Sequence, residues 1–162
     1  MNIYTTDKIR NVVLLGHGGS GKTSLAEAFG YLSGITSRMG KVDDGNTLSD
    51  YSKEEQKRHF SISTSVIPIE WEGYKINIID TPGYFDFVGE VEEAVSAAGA
   101  AIIVVNGKSG IEVGTQKAWE LCEKYKLPRF IYVSNMDVDN ASFRQVVEDM
   151  TNLLSLIHIS EP

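Results

Sequence analysis

The sequence predicts an α/β domain in which a mixed, mainly parallel β-sheet carries helices on both faces. Short apolar runs alternate along the chain with amphipathic segments of helical period. The turn Glu72-Gly73 joins two of the apolar runs, which is the pattern of a β-hairpin. A glycine-rich loop, Gly16 to Thr23, stands between the first apolar run and the first helical segment. This strand–loop–helix order is typical of phosphate-binding loops.

The amino-terminal half is predicted element by element from its local pattern. Residues 11–15 form a short apolar strand, and Ser24 to Phe29 begins a helix that is broken at Gly34. Residues 35–60 are polar and weakly periodic, and they are long for a loop in a compact domain, so we expect a functional, mobile segment. The hairpin strands then run from Ile62 to Trp71 and from Tyr74 to Asp80.

The carboxyl-terminal half continues the alternation of helix and strand. Gly99 ends a helical segment, and Pro128 separates a helix from the strand that follows it. The predicted order is a helix over residues 91–98, a buried strand over 100–105, an amphipathic helix over 115–125, a strand over 129–133 and a final helix over 141–154.

The bulk composition limits the classes of function. The length of 162 residues fits one domain. A net charge of −7 argues against a protein that binds nucleic acid non-specifically, and we expect no sequence-specific nucleic acid binding either. No apolar run is long enough for a membrane span, and the first residues lack the order of a signal peptide. Cys122 is the only cysteine, which excludes an internal disulfide, so a cytoplasmic location is the default expectation.

The glycine-rich loop has the residues that a polyphosphate requires. Residues 16–23 read G-H-G-G-S-G-K-T, the pattern G-x-x-x-x-G-K-[ST]. Small residues let successive backbone N–H groups point at phosphate oxygens. Lys22 can reach the β- and γ-phosphates as a point charge, and the Thr23 hydroxyl can ligate the Mg²⁺ that bridges them.

A second motif follows the second hairpin strand. Residues 80–83 read D-T-P-G directly after an apolar run. An aspartate at a strand end can hold Mg²⁺, often through a water, and the N–H of Gly83 can approach a γ-phosphate because no side chain obstructs it. D-x-x-G alone is common, but after a phosphate loop and a hairpin it predicts a GTPase-like site.

Five segments together resemble the GTP-binding domain of elongation factor G, and most closely its divergent second type. The segments are Gly16 to Thr23, Lys41 to Gly45, Asp80 to Phe87, Val88 to Glu90 and Gly110 to Thr115, and the similarity runs from about Lys8 to Met150. Tetracycline-resistance ribosome-protection proteins and peptide-release GTPases share these motifs. The resemblance implies a Ras-like P-loop GTPase fold that is truncated at its C-terminus, GTP or GDP with Mg²⁺ as ligands, and the ribosome as partner.

The resemblance also assigns roles to individual residues. It makes residues 35–60 the first switch and Asp80 to Glu90 the second, and it implies metal ligation by Thr23, Ser61 and Asp80. The implied catalytic residues are Tyr84, Lys22 and Gly83. The implied nucleotide contacts are His17, Gly18, Gly19, Ser20, Gly21, Lys22, Thr23, Ser24, Asp80, Gly83, Ser134, Asn135 and Asp137, among which His17 is expected to shape the loop rather than to transfer protons.

The chain departs from the family pattern at three places. Gly19 stands where most translational GTPases have an aspartate, and Tyr84 replaces the histidine of the second switch. Ser134-Asn135-Met136-Asp137 takes the place of the guanine-reading motif N-K-x-D, in which only the aspartate is kept. A nucleotide-dependent binding module with little hydrolysis therefore stays as an alternative, beside a ribosome-protection factor.

The last residues match none of the predicted elements. We expect residues 1–153 to be one GTP-binding domain that is incomplete at its C-terminus. Residues 154–162 resemble a translated sequencing-adapter tail, and we expect them to be non-native.

Overall fold

The computed structural model describes the backbone of residues 3–159 and the side chains of these residues except residue 85 and residues 154–159. Within this part of the chain one five-stranded sheet has the order β2-β3-β1-β4-β5. Its strands are β1 Ile9–Leu15, β2 Ser65–Trp71, β3 Tyr74–Asp80, β4 Ala100–Asn106 and β5 Arg129–Ser134. β2 pairs with β3 antiparallel, and every other pairing is parallel. The predicted fold class is confirmed.

The helices cover both faces of the sheet. They are α1 Lys22–Leu32, α2 Lys53–Arg58, α3 Val88–Ala97, α4 Val113–Lys124 and α5 Phe143–Ile159. One buried cluster joins β1 and β4 to α3, α4 and α5 through residues such as Val95, Trp119 and Val146. A second cluster joins β2 and β3 to α1 through Ala26, Ile67 and Ile78. None of the described helices is both long enough and apolar enough to cross a bilayer.

The topology gathers the sequence motifs at one edge of the sheet. The strands β1, β3, β4 and β5 are parallel, so their carboxyl ends lie side by side. The phosphate loop follows β1, the D-T-P-G motif begins at the end of β3, and residues 134–137 begin at the end of β5. Ligands of open α/β sheets bind at this edge.

Among the differences from the sequence prediction, three concern residues 35–60, the strand that follows them and the end of the last helix. Residues 35–60 contain a short helix, α2, which a capping box of Ser52 and Glu55 begins. The strand β2 begins at Ser65 rather than Ile62. The final helix does not end at Leu154, since α5 continues through Ile159, so the predicted end of this helix is wrong. The remainder of the expected non-native tail, residues 160–162, lies outside the described residues.

Candidate functional site

The phosphate loop delivers an uncapped helix start to the site. α1 begins at Lys22 directly after Gly21, and no side chain caps its first turn. The first N–H groups of a helix have no partner within the helix, and they carry the positive end of its dipole. An anion in front of the loop would supply the missing partner, as in other helix-terminus phosphate sites.

Lys22 is folded back over the loop that it follows. Its Nζ donates to the carbonyl oxygens of Gly16 at 3.0 Å and His17 at 2.8 Å. Burial lowers the pKa of Lys22 from 10.5 to about 8, and the nearby Asp80 carboxylate opposes that shift. The ammonium is therefore held inside the loop, where the phosphates of a nucleotide would meet it.

The predicted metal ligands lie together at the start of α1. The Thr23 hydroxyl donates to Asp80 Oδ2 at 2.9 Å, and its oxygen lies 3.2 Å from Ser61 Oγ. Ser61 Oγ in turn donates to Asp50 Oδ1 at 2.7 Å. Asp50 was not predicted from the sequence, because no local motif marks a carboxylate eleven residues before Ser61.

This oxygen cluster, formed by Thr23, Ser61, Asp80 and Asp50, fits a divalent cation. Each hydroxyl has one hydrogen, so when both carboxylates are ionised the two hydroxyl oxygens face each other with lone pairs only. Asp80 Oδ1 is buried and makes no hydrogen bond among the described residues. Burial raises the pKa of Asp80 to about 6, against the opposing charge of Lys22.

The chemistry of the cluster favours Mg²⁺ over softer metals. Hard oxygen donors suit Mg²⁺, which completes its octahedron with water and phosphate oxygens. No group of three or more His, Cys, Asp or Glu side chains among the described residues is placed to hold a metal. Thr23, Ser61 and Asp80 would therefore hold Mg²⁺ only together with ligand oxygens from a nucleotide.

A cavity of about 320 Å³ opens in front of the loop and the oxygen cluster. Nine predicted site residues line it: Gly18, Gly19, Gly21, Lys22, Thr23, Ser24, Ser61, Gly83 and Tyr84. Asp80 lies buried behind this lining. The first switch segment adds residues that the sequence analysis did not select, namely Val42, Asp43, Asp50, His59 and Phe60.

Gly83 approaches the loop so closely that no side chain fits there. A Cβ atom on Gly83 would lie 2.6 Å from Lys22 Nζ and 2.7 Å from the backbone N of Gly18. These distances are shorter than any ordinary contact, so only glycine lets the second switch meet the phosphate loop.

Tyr84 covers the mouth of the phosphate loop. Its ring packs on Phe60 with a centroid separation of 4.7 Å and an interplanar angle of 59°. The same ring lies against Gly18, where an added Cβ would be 3.2 Å from the ring carbon Cζ. Tyr84 is half exposed, so its ring separates the cavity from solvent without being part of the core.

The predicted base-reading residues lie beside the cavity rather than in its lining. Ser134 is buried, and its hydroxyl donates to the carbonyl oxygen of Ser20 at 2.6 Å, which ties the end of β5 to the phosphate loop. Asn135 has a left-handed φ of 53°. Asp137 is exposed on the turn that follows.

His17 faces away from the cavity. Its Nε2 lies 3.6 Å from Glu112 Oε1 at the start of α4. Ser20 is buried within the loop and does not line the cavity. The positions of both residues suit a role in shaping the loop.

Comparison with known proteins agrees with this geometry. Residues 7–161 match the family model described as the elongation factor Tu GTP binding domain. The chain is 40% identical over 149 residues to elongation factor G 2 of Borreliella afzelii, covering 92% of this chain and 22% of that protein. It is 36% identical over 152 residues to the mitochondrial ribosome-releasing factor 2 of Anopheles gambiae, covering 94% and 21%.

A solved structure shows the same fold. A crystal structure of a protein from Thermus thermophilus superposes with a TM-score of 0.87 at 39% identity, covering 91% of this chain and 22% of that one. The chain thus spans about a fifth of the length of the relatives it matches. The chain belongs to the family of elongation factor Tu GTP binding domains.

Proposed function

We propose that this chain is the GTP-binding and GTP-hydrolysing domain of an elongation factor G-like translation factor that acts on the ribosome. The observation that carries the proposal is the assembly of Lys22, the uncapped start of α1 and the oxygen cluster around one cavity. Positive charge, backbone N–H groups and metal ligands are the parts from which phosphoryl-transfer sites are built.

The residues divide the work by their chemistry. Lys22 leaves its loop carbonyls for the β- and γ-phosphates, where it neutralises charge. Thr23, Ser61 and Asp80 would hold Mg²⁺, which would supply positive charge to offset the negative charge that develops during hydrolysis. The N–H of Gly83 approaches the γ-phosphate. Both switches close around this phosphate and open again after hydrolysis.

Tyr84 takes the position from which the second switch would orient the attacking water. A phenol can donate or accept a hydrogen bond, but it does not offer the positive charge of an imidazolium. Its contacts with Phe60 and Gly18 place it over the phosphate loop. Hydrolysis by the chain alone is therefore slow and depends on the ribosomal partner.

Asp137 supplies the preference for guanine. Its carboxylate can accept two hydrogen bonds, from the N1–H and the exocyclic amine of guanine, and adenine lacks this donor pair. Ser134 supports the base site indirectly, because it anchors the end of β5 to Ser20.

Nucleotide binding tests the proposal directly. A fluorescent guanine nucleotide is bound to the chain with Mg²⁺ and displaced by GTP, GDP or ATP. We expect GTP and GDP to displace it more effectively than ATP, and we expect Lys22→Ala to weaken triphosphate binding about 10–100-fold while the circular dichroism spectrum is unchanged. Equal displacement by ATP removes the role of Asp137, and full affinity in the Lys22 variant shows that the loop is only structural.

A binding module with little hydrolysis is the second candidate function. Tyr84 and Gly19 favour it, since each replaces a polar family residue of the hydrolysis site. A single-turnover GTPase assay with and without ribosomes, in a full-length protein that carries this domain, separates the two functions. Stimulation by ribosomes supports the translation factor, and binding without turnover supports the module.

The relatives reported above are named as an elongation factor and a ribosome-releasing factor, which favours the translation factor over a ribosome-protection protein.

The location follows from the partner. A factor that acts on ribosomes works where they are, so the cytoplasm goes with this proposal. The mitochondrial name of one relative makes an organelle matrix the alternative.

A further inference from the structure

We propose that Glu90 of α3 is a positioning residue for Ser61 and that, together with Glu55 of α2, it couples the first switch to the second. The inference rests on the proposed function, since it assigns the means by which the Mg²⁺ ligand Ser61 is held in place. The segment concerned is Ser61 to Thr64, called here the switch link, which joins α2 to β2.

Glu55 holds the first half of the switch link. Its Oε1 accepts hydrogen bonds from the backbone N–H groups of Ile62 at 3.0 Å and Ser63 at 3.1 Å. Its Oε2 accepts from Ser52 N at 3.1 Å, which closes the capping box of α2. The side chain is buried, and although burial alone would raise its pKa, these hydrogen bonds keep the pKa below the usual range. The carboxylate therefore binds the link in its ionised form.

Glu90 holds the second half from the opposite switch. Its Oε2 accepts from the backbone N–H of Thr64 at 2.7 Å. The Thr64 hydroxyl donates to the backbone carbonyl of Glu90 at 3.1 Å, so the two residues are joined twice. Glu90 lies in the first turn of α3, where a negative charge also stabilises the helix.

Three consecutive N–H groups of the switch link are thus bound by carboxylates of two different helices. The link directly precedes Ser65, the first residue of β2, which pairs with Asp80, the last residue of β3, so these bonds lie where sheet pairing has ended. Hydrogen bonds to ionised acceptors are stronger than neutral ones, and they fix the direction of the donor. The backbone of residues 62–64 is therefore set jointly by the first switch, through Glu55, and by the second switch, through Glu90.

The position of Ser61 depends on this arrangement. Its hydroxyl lies 3.2 Å from Thr23 Oγ1 and 2.7 Å from Asp50 Oδ1, and it directly precedes the three bound N–H groups. A movement of α3 that lengthens the Glu90–Thr64 bonds pulls on the link and draws Ser61 away from Thr23. A movement of the second switch in this way changes the position of Ser61 at the metal site, even though the two are not linked through the nucleotide.

The test uses Glu90→Ala, with Glu90→Gln as the conservative variant and Glu93→Ala as the matched control. Glu93 is an exposed glutamate of the same helix, so its substitution makes the same change in charge and helix propensity. We expect Glu90→Ala to weaken Mg²⁺-dependent GTP binding about tenfold, the size of one lost hydrogen bond to a charged group. GDP affinity changes less than about twofold, because a diphosphate leaves the γ-phosphate side of the site empty. Glu90→Gln, which keeps an acceptor oxygen, recovers part of the loss, and Glu93→Ala has no effect.

A double-mutant cycle with Ser61→Ala shows whether Glu90 acts through Ser61. If it does, Glu90→Ala causes no further loss of GTP affinity in the Ser61→Ala background. Losses that multiply in the double variant, or an equal loss for GTP and GDP, overturn the inference and leave Glu90 as a packing residue of α3. If Glu90→Ala does not fold, the same cycle is measured with Thr64→Val, which removes only the hydroxyl bond to Glu90.

The two hypotheses fail in different ways. Absence of Mg²⁺-dependent guanine nucleotide binding in the unsubstituted chain contradicts the proposed function. Normal binding in the unsubstituted chain, with unchanged GTP affinity in a folded Glu90→Ala variant, contradicts only the coupling by Glu90.

Discussion

Replacing Asp80 by asparagine should stabilise the nucleotide-free chain while removing the proposed Mg²⁺ site. Burial raises the pKa of Asp80 from 3.8 to about 6, and the Lys22 charge and the Thr23 hydrogen bond only partly offset that shift. A folded-state pKa of about 6 in place of 3.8 corresponds to about 3 kcal/mol of unfolding free energy at neutral pH. Asparagine has the shape of the protonated acid and keeps an acceptor for Thr23, so we expect the variant to gain up to about 3 kcal/mol.

The pH dependence gives the expected gain a distinct signature. The folded state keeps the Asp80 proton up to about pH 6, whereas the unfolded state loses it near 3.8. Unfolding free energy from this group therefore falls as pH rises from about 4 to about 6 and is constant above that range. Asparagine does not titrate, so the advantage of the variant is absent near pH 4 and complete above pH 7.

Urea and thermal unfolding in EDTA measure this gain. For a chain of this size, about 3 kcal/mol corresponds to a rise of about 6–12 °C in melting temperature. Asp86→Asn, an exposed aspartate of the second switch, is the control for the change in net charge. A variant that is less stable than the parent at pH 7, or an advantage that is the same at pH 4 and pH 7, refutes the reasoning. With Mg²⁺ added, the Asp80 variant should lose Mg²⁺-dependent GTP binding.

Substitutions at four further positions test other parts of the structure. Lys22→Ala should weaken GTP binding roughly 10–100-fold in a fluorescence titration, because charge-assisted bonds to the phosphates are lost; an unchanged affinity contradicts this. Gly40→Ala should cost about 1–3 kcal/mol in urea unfolding, because the new Cβ would lie 2.6 Å from Glu27 Oε2 and 2.7 Å from the Asn46 carbonyl oxygen; wild-type stability would mean that the loop yields without cost. Ser134→Ala should lose about 1 kcal/mol with the bond to Ser20 and should weaken GDP binding in calorimetry. In a full-length protein that carries this domain, Tyr84→His should speed ribosome-dependent GTP turnover and Tyr84→Phe should slow it, whereas no change in either variant makes Tyr84 a packing residue.

The regular elements could be predicted because their signals are local. Apolar runs, the Glu72-Gly73 turn and the glycine-rich loop each act within a few residues, so the strands and most helices were located correctly. The end of α5 was predicted wrongly because residues 155–159 carry no familiar motif, although apolar residues dominate among them. The helix α2 was missed because it is only six residues long and strongly charged.

The residues of the candidate site were likewise predictable where they belong to a short sequence motif. The residues of the phosphate loop and of D-T-P-G can be recognised from their spacing. The structure places Thr23, Asp80 and Ser61 in one cluster. Asp50, Glu55 and Phe60 belong to no such motif. Their contacts depend on where residues 35–60 fold back against the phosphate loop. A polar segment does not show from its sequence which of its acids will be buried.

The alternation of strands and helices, the phosphate loop and the family resemblance can be predicted from the amino-acid sequence, since they depend on residue patterns over short spans. Which polar side chains meet depends instead on how the chain packs. Ser61 reaches Thr23 across 38 residues, Glu90 reaches Thr64 across 26, and Ser134 reaches Ser20 across 114. Such pairings arise because parallel strands bring distant loops to one edge of the sheet, where buried polar groups must find partners in each other.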